Sequence, residues 1–414
     1  MFGFGLLAYV QQKSLTVAAA QMMPDLGLSQ MQIGYLQQAF VIGYTVLQLP
    51  GGVFGQRLGA RRTLVVLGIV SFLAMIAMPI APHLFAGAAL FIVLLGAQLL
   101  LGFSQAPIFP VSSGVFEAWF PSNRWAFVQG LQTMGLGFGS ALTALLIPPL
   151  ALAVGWQGAL VCAALPAVAL IAGWAWYARD TPKEHRAVSP EELVEIGNES
   201  AAAVDSTIDA RRLIKVLTNR SVWLLATSYV MMNYAFYLLS NWCFLYLVQE
   251  RHLSLLASGG LTSMPALASG IGAGVGGALT SRLCESFGTR WGYRLTPLVA
   301  LPIAGLLLIV AVTVANAYLA VVALTACFFC VELTEGSYWG GAMSVGRGDS
   351  MAVCGVMNTG GNLGGILGIP IVAYLSGHGS WPMAFVIGAG CAVASALAWF
   401  GIDPSRPLDA VEKH

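Results

Sequence analysis

Charge is what this sequence has least of. Asp, Glu, Lys and Arg together make up 9 % of the 414 residues, whereas apolar types make up 57 %. Soluble domains carry about 25 % charged residues, and a chain this poor in ionised side chains cannot cover a surface in water. A soluble globular enzyme or carrier is excluded. The net charge of +1 by itself says nothing about nucleic acid, and what matters is where the charges lie; no nucleic-acid partner is expected. Cysteine is sparse as well: seven are scattered, mostly in apolar runs, where a thiol behaves as a small hydrophobe. No disulfide framework is expected. Cys327 and Cys330 form a C-x-x-C, but inside an unbroken apolar stretch without the context of a redox motif. The five histidines all fall in loops or at the end of the chain, and neither a Ser-His-Asp grouping nor zinc spacing occurs. No enzyme, cofactor or metal is therefore expected. Finally, no basic leader precedes the apolar segment from Phe2 to Val10 and no small-residue cleavage site follows it. That segment is expected to be a first helix rather than a removed signal peptide.

What the chain does have is long apolar runs, each near the roughly 20 residues that cross a bilayer. They fall at 3–23, 30–54, 63–82, 86–109, 125–148 and 156–178, and again at 220–248, 255–280, 295–313, 316–340, 351–375 and 381–401. The one long polar stretch, 179–219, lies between the two sets. The expected organisation is a six-helix lobe over 1–178, a linker over 179–219, a second six-helix lobe over 220–402 and a tail over 403–414. Within the linker, Ser189-Pro190-Glu191-Glu192 has the Ser cap, first-position Pro and first-turn acids of a helix start. If linker and tail are cytoplasmic, 17 of the 19 basic residues fall on that side, as positive-inside topology requires. Arg251 falls outside and Lys13 within a helix. A wrong helix count would scramble this split.

Between the second and third helices stands Pro50-Gly51-Gly52-Val53-Phe54-Gly55-Gln56-Arg57-Leu58-Gly59-Ala60-Arg61-Arg62. It resembles the signature loop of the major facilitator superfamily, G-x-x-x-D-R-x-G-x-R-R. Gly52 and Gly59 suit a tight turn and close helix contact, and Arg57, Arg61 and Arg62 anchor at the cytoplasmic face. A weaker echo, Gly277 to Arg282 with Gly288 and Arg290, occupies the same place in the second half. The run from Gln98 to Pro110, Glu117-Ala118-Trp119-Phe120-Pro121, Thr334 to Trp339, and Gly355 to Gly365 together look like the anion:cation symporter branch. That branch moves organic anions such as sugar acids, often with protons. The resemblance implies an all-α integral membrane protein, with twelve transmembrane helices in two six-helix lobes related by a pseudo-two-fold axis. It also implies a substrate-contacting tyrosine at Tyr44. The chain departs from the branch where charge is usual. Gln56 replaces the signature Asp, Gln98 and Gln105 replace Arg and Glu on the fourth helix, and Gln11 and Gln12 replace an Asp-Arg pair on the first. Binding and coupling must then fall on other residues.

A charge at mid-bilayer costs about 2.5–3.5 kcal/mol on insertion scales, and only Lys13, Glu332 and Glu335 are expected well inside spans. Lys13 either faces the cavity and attracts a carboxylate, or it pairs structurally with an acid or snorkels to the surface. Glu332 and Glu335, three residues apart, share a helix face that Trp339 continues. Either carboxyl could carry a coupling proton, Glu335 before Glu332, or serve a structural hydrogen bond near the helix end. Gln37, Tyr44 and Gln48 form a stripe on the second helix. Asn233, Tyr237 and Asn241, at intervals of four, form one on the seventh. Asn358 and Asn362 form one on the eleventh. With Gln12, Gln98, Gln105 and Gln132 these are the candidate substrate-binding residues, because amides and phenols within a membrane face protein or water, not lipid. Each could equally bond a neighbouring helix. Gly270 to Gly276 is expected to be packing glycine in a helix rather than a phosphate loop, and Asn198-Glu199-Ser200 a glycosylation pattern left unused in a cytoplasmic linker.

The expected function is secondary transport of a small organic anion by alternating access, with protons as the coupling ion, by a monomer in a bacterial inner membrane. Glycine-rich stretches on helices 5, 8 and 11 would allow sliding contact. The rival readings are a facilitator or exporter of a neutral or amphipathic compound and, from another class, a non-transporting membrane sensor.

Overall fold

The computed structural model describes residues 1–196, 210–253 and 255–408. The Asn198-Glu199-Ser200 triplet, the linker from 197 to 209 and the tail beyond 408 lie outside the described residues. Within them the chain is helical almost throughout and holds no strand. Eight helices are long and apolar enough to cross a membrane. One, the 53-residue Leu261–Thr313, would measure about 80 Å at 1.5 Å per residue, more than twice a ~30 Å hydrocarbon core. It is two spans, because the helical path breaks at Gly288 (φ 73°, ψ 167°). The fifth and sixth helices, together Trp125–Tyr177, part in the same way at Gly155 (φ 73°, ψ 168°). A positive φ of this size is available to glycine without steric penalty. The first helix (Phe2–Leu26), the second and the fifth complete twelve. The first two fall short on hydropathy because they carry Gln11, Gln12, Lys13, Gln21 and Gln37, Gln38, Gln48. Those are the side chains a polar site needs.

Three spans run further than their hydropathy implies. The second continues from Gln30–Val46 into Gln48–Leu58, so the signature segment is helix and turns only at Gly59. The fourth runs Gly87–Gln105 and then Ile108–Trp119, offset at Ala106 and Pro107; there proline occupies the N-cap of the second piece, where its missing N–H is not needed. The tenth runs Ala317–Glu332 and then Glu335–Val345. Glu332 and Glu335 thus do not share a continuous helix face; they flank a break at Leu333 and Thr334. Ser29 opens the second helix with a capping box to Gln32. Ser189 does the same for the linker helix Pro190–Ile196, exchanging hydrogen bonds with Glu192.

One apolar core lies wholly within the first lobe, around Leu36, Met75, Leu94 and Trp156. The other fills the second lobe and extends into the first through Phe109, Val111 and Trp125. That extension lies on the linker side. There the fifth helix meets the eighth through glycine: a Cβ on Gly277 would come within 2.5 Å of the Ala126 carbonyl, and one on Gly137 within 2.7 Å of the Gly270 Cα. Gly52 lies equally close to the Met351 carbonyl of the eleventh helix. Small residues are what let membrane helices approach this far.

Candidate functional site

The site is built where the two lobes meet at mid-depth. On the second helix, Tyr44 stacks on Phe40, with centroids 5.7 Å apart, and bonds to Gln48 and Asn358. Asn358 Nδ2 donates to Gln48 Oε1 at 2.8 Å, across the lobe boundary. Asn362 Nδ2 donates to the Asn358 carbonyl at 2.9 Å, and the Tyr237 hydroxyl donates to Asn362 Oδ1 at 3.2 Å. A polar chain thus runs Tyr44, Gln48, Asn358, Asn362, Tyr237 from one lobe into the other. The eleventh helix comes this close to the seventh because it presents glycine: a Cβ on Gly365 would strike the Tyr237 ring, and one on Gly361 the Tyr229 ring.

Glu335 sits beside this chain, 6 % exposed. The Tyr229 hydroxyl donates to its two oxygens at 3.0 and 3.2 Å, and Trp339 Nε1 donates to Oε2 at 2.8 Å. Trp339 in turn packs on Phe109 of the first lobe, centroids 5.4 Å apart. The carboxyl is therefore tied through one indole to both lobes. Glu332, 5 % exposed, is near enough to Glu335 for the two carboxyls to repel; its own Cβ abuts Gly272. Tyr9 of the first helix faces the same space, with Tyr44, Tyr237, Glu332 and Glu335 as neighbours. One turn further along, the Lys13 ammonium lies 5.9 Å from the Tyr9 ring centroid. Among the described residues no carboxylate pairs with it. Gln12, beside it, is half-buried.

The other candidates are placed differently. Gln105 Nε2 donates to Gln11 Oε1 at 3.1 Å, which also accepts from Ser71 at 2.5 Å. Gln98 contacts the Met78 sulfur at 3.0 Å, and Gln132 donates to Ser112 at 2.8 Å. All three are inside the first lobe. Gln37 is exposed and reaches Thr16 at 3.2 Å. Asn233 bonds back to its own helix at the Tyr229 carbonyl, 2.9 Å. Asn241 is exposed and off the stripe, because the chain takes a π-helical turn over Leu238–Trp242, which inserts a residue and rotates everything beyond it. Tyr9 and Tyr229 are not among the residues singled out by sequence. Both were signalled by spacing, one turn before Lys13 and one turn before Asn233.

Below the site the lobes are latched. Gln56 Nε2 donates to the Gly348 carbonyl at 2.7 Å and to Asp349 Oδ1 at 2.8 Å. The other Asp349 oxygen takes Arg212 of the linker at 3.1 Å. Glu117 accepts from the Gly348 N–H at 2.7 Å. With an amide at position 56 the signature segment donates to an acid on the opposite lobe, where a carboxylate would have faced one. Gly59 lies against the Asp180 carboxyl, which accepts from the Arg61 N–H at 2.7 Å, and the Arg61 guanidinium bonds to the Ala175 carbonyl. Arg57 and Arg62 are exposed on this side. Of the hydrogen bonds named here between the lobes, Asn358 to Gln48 is the outermost; beyond it Gln37 and Asn241 are exposed. The contacts between the lobes described above lie on the linker side and at mid-depth.

Residues 1–347 match the model of the Major Facilitator Superfamily. A probable sulfoacetate transporter of Cupriavidus necator is 28 % identical over 98 % of this chain and 93 % of its own length. The hexuronate transporter of Bacillus subtilis is 26 % identical over 96 % and 92 %, and a probable galactarate/D-glucarate transporter of Escherichia coli is 26 % identical over 95 % and 90 %. Among solved structures, a proton:xylose symporter bound to 6-bromo-6-deoxy-D-glucose superposes with a TM-score of 0.79 at 13 % identity, covering 99 % and 97 % of the two chains. A fucose:proton symporter of E. coli gives 0.69 at 14 %, covering 97 % and 98 %.

Proposed function

Because the chain belongs to the major facilitator superfamily, a family of multi-pass membrane transporters, we propose that it carries a small organic anion, of the sugar-acid or sulfonate-carboxylate kind, between its two lobes by alternating access. The relatives named above carry the names of transporters of such acids, two of them as probable ones, which supports the anionic class. The observation that carries the reading is that Tyr9 has the Lys13 ammonium near its ring and Glu335 of the other lobe among its neighbours, so a cation and a buried carboxyl lie either side of one tyrosine. A cation with no described carboxylate partner on the first lobe can meet the anion, and a buried carboxyl on the second, held by two donors, can take up and release a proton. A charge kept at such depth without a partner is retained for function. The polar chain from Tyr44 to Tyr237 offers hydroxyl and amide groups to a hydroxylated cargo. The linker side is taken as the cytoplasm of a bacterial inner membrane, on the distribution of basic residues.

Two variants in proteoliposomes test this. Lys13→Ala is expected to weaken uptake of glucuronate or sulfoacetate by tenfold or more, as about 1.4 kcal/mol of lost attraction implies, and Lys13→Arg to restore part of it. Unchanged affinity in Lys13→Ala would remove the binding role. Glu335→Gln is expected to keep substrate exchange across the membrane but to lose accumulation driven by a pH gradient. Normal accumulation in that variant would end the case for proton coupling there.

A further inference from the structure

On the linker side of the second lobe, away from the cleft, lies a groove of about 470 Å³ between the start of the seventh helix, the ninth helix and the segment after the twelfth. Four arginines line it, Arg220, Arg290, Arg294 and Arg406, against one acid, Asp403. Arg294 is the floor: it is buried, and its Nε and Nη2 donate to the carbonyls of Ile402 and Phe400 at 2.6–3.1 Å, fixing the tail in place. The other three guanidiniums are at the rim. Arg406 lies 3.5 Å and Arg290 3.9 Å from the same Asp403 oxygen, and the other Asp403 oxygen is occupied by Ser405. Among the described residues Arg220 makes no hydrogen bond or ion pair. One carboxylate cannot neutralise three forks. The seventh-helix N-terminus is not the attraction, since Asn219 already accepts from Ser221 and Val222.

The setting says which anion fits. Phe400, which lines the groove, is 58 % exposed, and Trp291, stacked under the Arg294 guanidinium at 5.6 Å, is 45 % exposed. Aromatic rings exposed at the end of membrane helices sit at headgroup depth, and basic pockets at that depth take phosphate headgroups. Arginine forks match phosphate oxygens two at a time. We propose that this groove seats the phosphate headgroup of an anionic phospholipid of the linker-side leaflet, held by Arg220, Arg290 and Arg406. The bound lipid would bridge the start of the seventh helix, which follows the linker, to the tail that Arg294 anchors.

Native mass spectrometry of the purified full chain, titrated with phosphatidylglycerol or phosphatidylcholine of the same acyl chains, tests the site, with thermal-shift readings alongside. Phosphatidylglycerol is expected to bind at least about tenfold more tightly, on the scale of ~1 kcal/mol per basic residue near an anionic surface. Arg220→Gln/Arg290→Gln/Arg406→Gln is expected to abolish that preference, while Arg124→Gln/Arg186→Gln, exposed arginines elsewhere on the same side, leaves it. Arg406→Gln alone, on a side chain 83 % exposed, keeps the fold and should lower the preference measurably. The proposal is overturned if the triple variant retains the preference, if the distant pair abolishes it, or if inorganic phosphate displaces the lipid and stabilises the protein equally. That last outcome would assign the groove to a free anion.

Discussion

Glu335 is the most closely held ionisable group in the cleft, with the Tyr229 hydroxyl and the Trp339 indole both donating to it. A hydrogen bond to a charged group contributes about 1.5–3 kcal/mol, ten- to a hundredfold in an equilibrium. Tyr229→Phe removes one of the two donors while keeping the ring against Tyr338, centroids 4.9 Å apart. Uptake is expected to fall about tenfold, with the ratio of protons to substrate falling too. Tyr338→Phe is the control, because its hydroxyl serves Ser228 and Ser395 rather than the carboxyl; stability should drop and the ratio should hold. An unaltered ratio in Tyr229→Phe would leave the tyrosine a packing residue only. Position 56 makes the same point about replacement. An amide there gives Asp349 a donor, and Arg212 on the other Asp349 oxygen completes the satisfaction of that acid.

Between elements, contact depends on residues without side chains. Gly130, Gly277 and Gly336, on the fifth, eighth and tenth helices, meet so closely that a Cβ on Gly277 would come within 3.0 Å of the Gly130 Cα, and one on Gly336 within 2.7 Å of the Gly277 Cα. Gly277→Leu overpacks that junction at a cost of about 1–3 kcal/mol, and because the atoms its Cβ meets, on Ala126 and Gly130, belong to the first lobe, the cost weighs on the linker-closed arrangement. The population is expected to shift toward opening on that side. Cys354, free and buried on the eleventh helix, reports it: maleimide labelling followed by mass spectrometry should rise in the variant, and labelling as slow as in the parent would refute the shift. Much of this architecture was legible from hydropathy and glycine content, since apolar length and small residues are local properties. The tilt of the polar stripes was less so. A period of four placed Tyr237 on the site, yet the π turn at Leu238–Trp242 carried Asn241 out of it. Gln98, Gln105 and Gln132 looked like cavity amides because nothing local says whether an amide will find its partner inside its own lobe, as these do.

At the scale of the molecule, the two lobes share a polar seam whose outermost named bond is Asn358 to Gln48. If transport requires the lobes to rock, joining them there must stop it. A reducible link between Gln48→Cys and Asn358→Cys, in a background lacking the native cysteines, is expected to reduce uptake to background, with recovery on reduction. Uptake undiminished in the linked protein would mean that the lobes do not part at this seam. The single-glycine reversals at Gly155 and Gly288 bear on how such a protein can be handled. Where two successive spans are joined by one residue, there is no exposed hoop of chain for a protease to cut, an antibody to grip or an epitope tag to enter. Each such pair must move as a stiff hairpin, and any insertion meant to leave the carrier working belongs in the stretch that joins its halves.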